Sequence, residues 1–326
     1  MYGFTPTAEL RDVTMRDGLQ LTGKMLSTER KLEIVRALIE LGVPALEIGS
    51  MARGDKVPPM ANTLEVIGEL TAEELERCWV WVATPRHVEK AAAAGARNFQ
   101  YCFSASDSHN QANIGRTTEV SLAAMPDAVD ITRSVGGQIE LCIATSFTCP
   151  FEGQVPPDRV IEIANDERAT GATDIVICDT LGQAVPVQVS SLISRVRAET
   201  PDRRVVFHGH DTWGLGVANT LAAISAGAAM VDGSLGGLGG CPFAPGASDT
   251  PRPRTFSSRR GRTGSSRRRW HAWSLCRRAC WSNWRSPCDR KPCRVPGPRR
   301  TCSSGSYEPH SRHVGNPGSR HGHSAG

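Results

Sequence analysis

The chain has 326 residues, 39% of them hydrophobic, and a formal net charge of +5 from 38 Lys and Arg against 33 Asp and Glu. That length can bury one large core. No run approaches the roughly 18 apolar residues of a membrane span, and the N-terminus lacks a charged segment followed by an apolar one, so neither a span nor a secretory leader is predicted.

The average charge conceals two different polymers. Residues 1–250 carry 20 Lys and Arg against 31 Asp and Glu, whereas 251–326 carry 18 against 2. In the first part Cys78, Cys102, Cys142, Cys149, Cys178 and Cys241 show no disulfide or zinc spacing. They suit a protein in a reducing cytoplasm, and most of them read as small core residues.

In chain order, apolar runs that end in polar or glycine-rich residues predict strands at 8–13, 45–48, 79–83, 99–103, 139–144, 174–178, 204–207 and 229–231. Helical patterns lie between them, among them 27–41, which opens on Ser27-Thr28-Glu29-Arg30 in the manner of a cap, 186–200 and 219–229. Strand-helix alternation implies a parallel sheet. Eight such units imply an α/β fold closed into a (β/α)8 TIM barrel.

A TIM barrel gathers its reactive groups at the C-terminal ends of its strands, and the candidate residues keep that phase. Arg16 and Asp17 follow the first strand, Glu47 ends the second, Ser146 follows the fifth, Asp179 the sixth, His208 and His210 end the seventh, and Cys241 follows the eighth.

Arg16-Asp17-Gly18-Leu19-Gln20 sets a carboxylate that can ligate a divalent ion beside a cation that can stabilise an oxyanion; a plain surface ion pair is the alternative. Glu47 is a costly inward carboxylate unless paired, and Arg16 is the expected partner, which makes its role orientation. Asp179 is either an acid beside the site or a cap for the helix that follows. Loops 56–62 and 149–153 could touch substrate, though turn chemistry also explains their Pro and Gly. On an extended chain His208 and His210 share a face, so both rings can point at one ion; hydrogen-bonded core histidines are the alternative. The glycine-rich run 233–240, ahead of Cys241, reads as a mobile loop of close approach that brings an acid or base to the site.

Together, Arg16-Asp17-Gly18-Leu19-Gln20, His208-Gly209-His210-Asp211 and the glycine-rich run into Cys241 resemble the signature of the hydroxymethylglutaryl-CoA lyases, within the metal-dependent TIM-barrel lyases and Claisen-condensing enzymes. The resemblance runs from Leu10 to Ser248. Leu19 is closer to the lyase branch than to the condensing synthases, which more often carry a polar residue there. The resemblance implies Mg2+ or Mn2+ held by Asp17, His208 and His210, with Arg16 supporting a thioester enolate. It also implies Cys241 as a proton donor on its loop, catalytic places for Glu47 and Asp179, and substrate contacts from Gln20 and Ser146. The expected partner is an acyl-CoA thioester; no membrane or nucleic acid is expected, and a homodimer stays open.

From Asp249 onward the periodicity vanishes, and seventeen arginines accompany one lysine. A basic binding arm or a metal site at Cys276, Cys280, Cys288, Cys293 and Cys302 are alternatives, but the spacings fit no zinc module. An excess of Arg over Lys is what GC-rich DNA yields out of frame. Rereading the codons from their third base permits ordinary helix-forming sequence again, as one lost base near Ser248 would require. The expectation is therefore a barrel domain at 1–248 without its last helix and a disordered, out-of-frame tail at 249–326. The family's further metal ligand is the Asn of Gly-Ala-Ser-Gly-Asn, whereas this chain reads Gly246-Ala247-Ser248-Asp249-Thr250. On that ground an impaired enzyme is expected. A related condensing enzyme or aldolase and a basic non-enzymatic binding protein are the rival readings.

Overall fold

The structure, a computed structural model, describes residues 8–240 and Thr250. Eight parallel strands close into a barrel: β1 (Glu9–Asp12), β2 (Ala45–Ser50), β3 (Cys78–Val82), β4 (Asn98–Ser104), β5 (Gln138–Ala144), β6 (Asp174–Asp179), β7 (Arg204–Gly209) and β8 (Met230–Gly233). Closure is made by β1, which pairs with β2 through Arg11 and Ala45 and with β8 through Glu9 and Met230. The predicted TIM barrel is the observed fold. Among the described residues no helix is long and apolar enough to cross a membrane.

Each predicted strand lies within a few residues of an observed one. β7 continues two residues past the predicted end, from Phe207 to Gly209, and so carries His208 on the strand itself. The helix expected at 219–229 runs instead from Gly216 to Ser225. It stops early because Gly227 takes φ +96°, and Arg197 donates from Nη1 to the Ala226 carbonyl at 3.1 Å, satisfying an end-of-helix acceptor.

Helix Thr28–Glu40 opens as predicted, with the Ser27 hydroxyl accepting from the Arg30 N–H. Its buried face holds Ile34, Val35 and Leu38 and, less expectedly, Lys31. Lys31 Nζ donates to the Pro59 carbonyl at 2.6 Å and to Asn62 Oδ1 at 2.7 Å. Its buried cation thus anchors the loop after β2. The expected contact loop at 149–153 is part of a two-stranded ribbon, Thr148–Cys149 with Gly153–Gln154, and stands apart from the cavity described below.

The barrel interior is apolar in one layer and charged in the next. Ala45, Trp79, Cys102, Cys142, Val176, Val206 and Met230 pack in one buried cluster. Two residues from members of that cluster, on the same strand faces, lie Glu47, Gln100, Glu140 and Asp232. Arg11 enters among them and is fully buried. A charged layer inside a barrel persists only when every charge is paired.

Cys241 and residues 251–326 lie outside the described residues, and so does the predicted tail apart from Thr250.

Candidate active site

The segment leaving β1 is a wide turn, Thr14–Gly18, in which the Gly18 N–H reaches back to the Val13 carbonyl at 3.1 Å. Such π-type turns occur often at functional sites. Here the turn buries both Arg16 and Asp17. The glycine-rich loop after β8 closes over it: Leu235 N–H donates to Thr14 Oγ1 at 2.7 Å, and Gln20 Nε2 donates to the Gly240 carbonyl at 2.6 Å. Gly236 and Gly237 have φ of +74° and +78°, and a Cβ on Gly239 would sit 2.8 Å from Asp17 Oδ2. Glycine is therefore required in this loop for backbone sign and for close approach.

Asp17, His208 and His210 each offer a ligand atom within 4.8 Å of the others, and all three are buried. The Nε2 atoms of the two rings are 3.4 Å apart, and His210 Nε2 is 3.9 Å from Asp17 Oδ1. Burial alone would raise the Asp17 carboxyl, but His210, His208 and Arg16 hold it below its ordinary value.

Arg16 is held on several sides. Its Nε donates to Glu47 Oε2 at 2.7 Å, Nη1 to Asp17 Oδ1 at 3.1 Å and Nη2 to Gln100 Oε1 at 3.3 Å. The Arg16–Glu47 pairing expected from the sequence is present. Burial pushes the Glu47 carboxyl up, against the pull of Arg16 and Arg11.

Gln100 continues the chain to Glu140 at 3.4 Å, and Glu140 accepts from Arg11 Nη1. Arg11 also grips Asp232, from Nε to Oδ1 at 2.9 Å and from Nη2 to Oδ2 at 3.1 Å. Asp232 Oδ2 meets His208 Nδ1 at 2.8 Å. One hydrogen-bonded chain thus runs from Arg16 through the barrel interior to His208. It sets four carboxyl groups, Asp17, Glu47, Glu140 and Asp232, against the guanidiniums of Arg11 and Arg16. Two negative charges are left over when all four are ionised.

The donor set bears on whether a divalent cation can be held here. A carboxylate and two imidazoles suit Mg2+, Mn2+ or Zn2+. The residues present fit such an ion.

Arg16, Asp17, Gln20, His208 and His210 line one cavity of 610 Å³. Its outer wall includes Lys56 and Arg116. Glu47, Ser146 and Asp179 do not line it; Glu47 acts on it through Arg16, the orienting role expected from sequence. Ser146 Oγ donates to the Ile143 carbonyl at 2.7 Å and accepts from the Cys178 N–H. Asp179 does not cap the helix that follows, whose N-cap is Val185; its Oδ1 accepts from the Gln183 N–H and its Oδ2 from the Ala184 N–H, both at 3.1 Å, in the turn after β6. Burial pushes its carboxyl up to about 6 despite those amides.

Four residues of the charged layer escaped sequence reading: Arg11, Gln100, Glu140 and Asp232. The signal available was a charge or amide at an inward position of an otherwise apolar strand. Thr250 was noted only as lacking the expected amide. The structure buries it and sets its hydroxyl 2.8 Å from Asp17 Oδ2, as donor.

A model of the HMGL-like family matches residues 7–247. The (R)-citramalyl-CoA lyase of Chloroflexus aurantiacus is 39% identical over 246 residues, covering 72% of this chain and 78% of that protein. The hydroxymethylglutaryl-CoA lyase YngG of Bacillus subtilis is 31% identical over 239 residues, covering 73% and 80%. Among solved structures, an HMG-CoA lyase from Acinetobacter baumannii in complex with coenzyme A and 3-methylmalate superposes with a TM-score of 0.73 at 32% identity, over 79% of this chain and 84% of that one. The B. subtilis HMG-CoA lyase superposes with a TM-score of 0.75 at 26% identity, over 85% and 95%.

Proposed function

The chain belongs to the HMGL-like family of carbon–carbon lyases, and from that premise we propose that it cleaves a 3-hydroxyacyl-CoA thioester bearing a tertiary hydroxyl and a carboxylate, releasing acetyl-CoA. Hydroxymethylglutaryl-CoA, which would leave acetoacetate, is one substrate of this type. The greater identity to the citramalyl-CoA lyase favours citramalyl-CoA as a second. The observation that carries the reading is the buried cluster of Asp17, His208 and His210 beside Arg16 on the cavity wall.

In this proposal Asp17 and the two imidazoles would hold Mg2+ or Mn2+, which would supply Lewis acidity at the site. The hydroxyl gives its proton to a base, the bond between the second and third acyl carbons breaks, and its electron pair passes into the thioester as an enolate. Arg16, braced by Glu47 and Gln100, keeps its charge at the cavity wall to stabilise that enolate oxygen. Gln20 ties Gly240, the residue before Cys241, to Asp17 Oδ1 at 2.8 Å. Cys241 then returns a proton to the second carbon. Replacing Cys241 with Ser should lower kcat by more than tenfold, in the range of a lost general acid, while Mn2+ affinity stays within twofold; unchanged kcat would remove Cys241 from the mechanism. The acyl-CoA is the partner. Buried free thiols, among them Cys102, Cys142 and Cys178, suit a reducing cytoplasm.

Thr250 belongs to this proposal as the neutral oxygen beside Asp17 where the resemblance places an amide. Thr250→Asn is expected to tighten Mn2+ binding about tenfold or more, the scale on which a ligand or its support acts. Titration of the purified full chain by electron paramagnetic resonance measures it, and weaker binding would count against a ligand place at residue 250.

The reaction itself is tested by offering hydroxymethylglutaryl-CoA and citramalyl-CoA with Mg2+, Mn2+ or EDTA and following acetyl-CoA. Slow release is expected of the chain as it stands; no release from either substrate with metal present, in this chain and in one carrying the restored reading frame, would overturn the proposal. The out-of-frame tail is tested separately by resequencing the DNA across 246–256. An additional base there would restore the amide and the last barrel helix, while an unchanged sequence would make the tail part of the protein.

A further inference from the structure

No catalytic step above uses Asp232, which is buried beside the cluster. It lies on β8 with 2% of its surface exposed, and its carboxylate is fully engaged: Oδ1 and Oδ2 both accept from Arg11, and Oδ2 also meets His208 Nδ1 at 2.8 Å. Arg11 is itself fully buried and cannot lose its proton, so it keeps the carboxylate an anion and fixes its plane. An anion can only accept. The His208 nitrogen facing it must therefore carry the proton, and in the neutral ring, the form that can ligate a cation, Nε2 is the nitrogen left with a lone pair on the side of His210 and Asp17.

We infer that Asp232, backed by Arg11, is a positioning residue that holds His208 as the Nδ1–H tautomer and aims its Nε2 at the cation. This rests on the metal-site reading given above. It explains why a barrel interior lined with Trp79, Val176 and Val206 tolerates a buried Arg11–Asp232 pair. A second carboxylate behind a ligating imidazole fixes ring orientation and raises ligand basicity, and loss of such a partner costs metal affinity.

The test uses the full chain labelled with 15N in its histidines, loaded with diamagnetic Mg2+ and examined by long-range 1H–15N correlation. The expected result is a His208 ring with its proton on Nδ1 and its Nε2 resonance shifted by Mg2+. A proton found on Nε2, with Mg2+ shifting other ring resonances, would overturn the inference while leaving the metal site standing. Mg2+ that shifts neither the His208 nor the His210 ring would overturn the metal site and the inference with it. In parallel, Asp232→Asn should weaken Mg2+ binding by about 10–100-fold, because an amide cannot accept from Arg11 and His208 as the carboxylate does. A folded Asp232→Asn protein that binds Mg2+ within twofold of the wild type would also overturn it. The wild-type tautomer decides the matter even where that variant does not fold.

Discussion

With Arg16 replaced by glutamine, kcat on the cleaved thioester is expected to fall by about 10²–10³-fold, the cost of removing one preorganised donor from a developing oxyanion. The size follows from the geometry. Arg16 brings five N–H donors, and Glu47, Asp17 and Gln100 engage one each on Nε, Nη1 and Nη2. One N–H on each Nη stays outside those bonds, and the group lines the cavity. Its charge is therefore preorganised. Burial would make the guanidinium easier to deprotonate, but Glu47 and Asp17 more than offset that and hold it above its ordinary value.

Lysine would not restore the rate, because an ammonium cannot span Glu47, Asp17 and Gln100 with the same fork. Michaelis constants should move little compared with kcat if the interaction grows mainly as the enolate forms. Steady-state kinetics of Arg16→Gln and Arg16→Lys, with melting curves to confirm folding, check this. A kcat within a few-fold of wild type in either variant would show that the enolate charge is met elsewhere.

The second large effect is on stability. Arg11→Met strands Asp232 and Glu140 in the barrel interior, and is expected to cost about 3–5 kcal/mol, the range for breaking a buried ion pair by removing one partner. Methionine matches the bulk of the arginine stem, so the cost reports charge more than a cavity. Urea unfolding measures it. Adding Glu140→Gln to Arg11→Met should recover part of the loss, since one stranded charge is then gone. No recovery would mean that packing, not charge, set the cost.

The pH dependence gives an independent sign. In the wild type burial alone would raise the Asp232 carboxyl, but Arg11 and His208 hold it at about 2, below the ordinary 3.8. Its contribution to stability is present in full above the unfolded value and is lost as pH falls through about 2. In Arg11→Met the same carboxyl, buried without its guanidinium, should titrate above its unfolded value. That variant should therefore lose stability as pH rises from about 4 toward 7. An Arg11→Met variant whose stability relative to the wild type is constant over that window would contradict the assignment of Arg11 as the charge partner.

The sequence determined the barrel and singled out the three side chains, Asp17, His208 and His210, that the structure brings together as a possible metal site. Apolar runs at 45–48 and 174–178 begin where β2 and β6 begin, at Ala45 and Asp174, because period and punctuation are local properties of the chain. Alternation on an extended strand was enough to put His208 and His210 on one face, and strand phase was enough to bring Asp17 to the same end of the barrel.

Asp179 shows where local reasoning stopped. Its position after β6 fits an acid or a helix cap, and only the structure shows its carboxylate taken up by the Gln183 and Ala184 amides of the turn before that helix. Ser146 was drawn from the cavity in the same way, by the Ile143 carbonyl and the Cys178 amide. The charged layer was the larger omission. Arg11 and Asp232 are 221 positions apart, and Arg11 and Glu140 are 129 apart. A charge on an apolar strand reads locally as a fault. Its partner becomes visible only when closure of the sheet brings β1, β5 and β8 around one interior. Tertiary structure decided which charges were paired, which ring nitrogen faces the site, and where Thr250 lies, because Coulomb pairing and hydrogen-bond direction depend on distance through space and not along the chain.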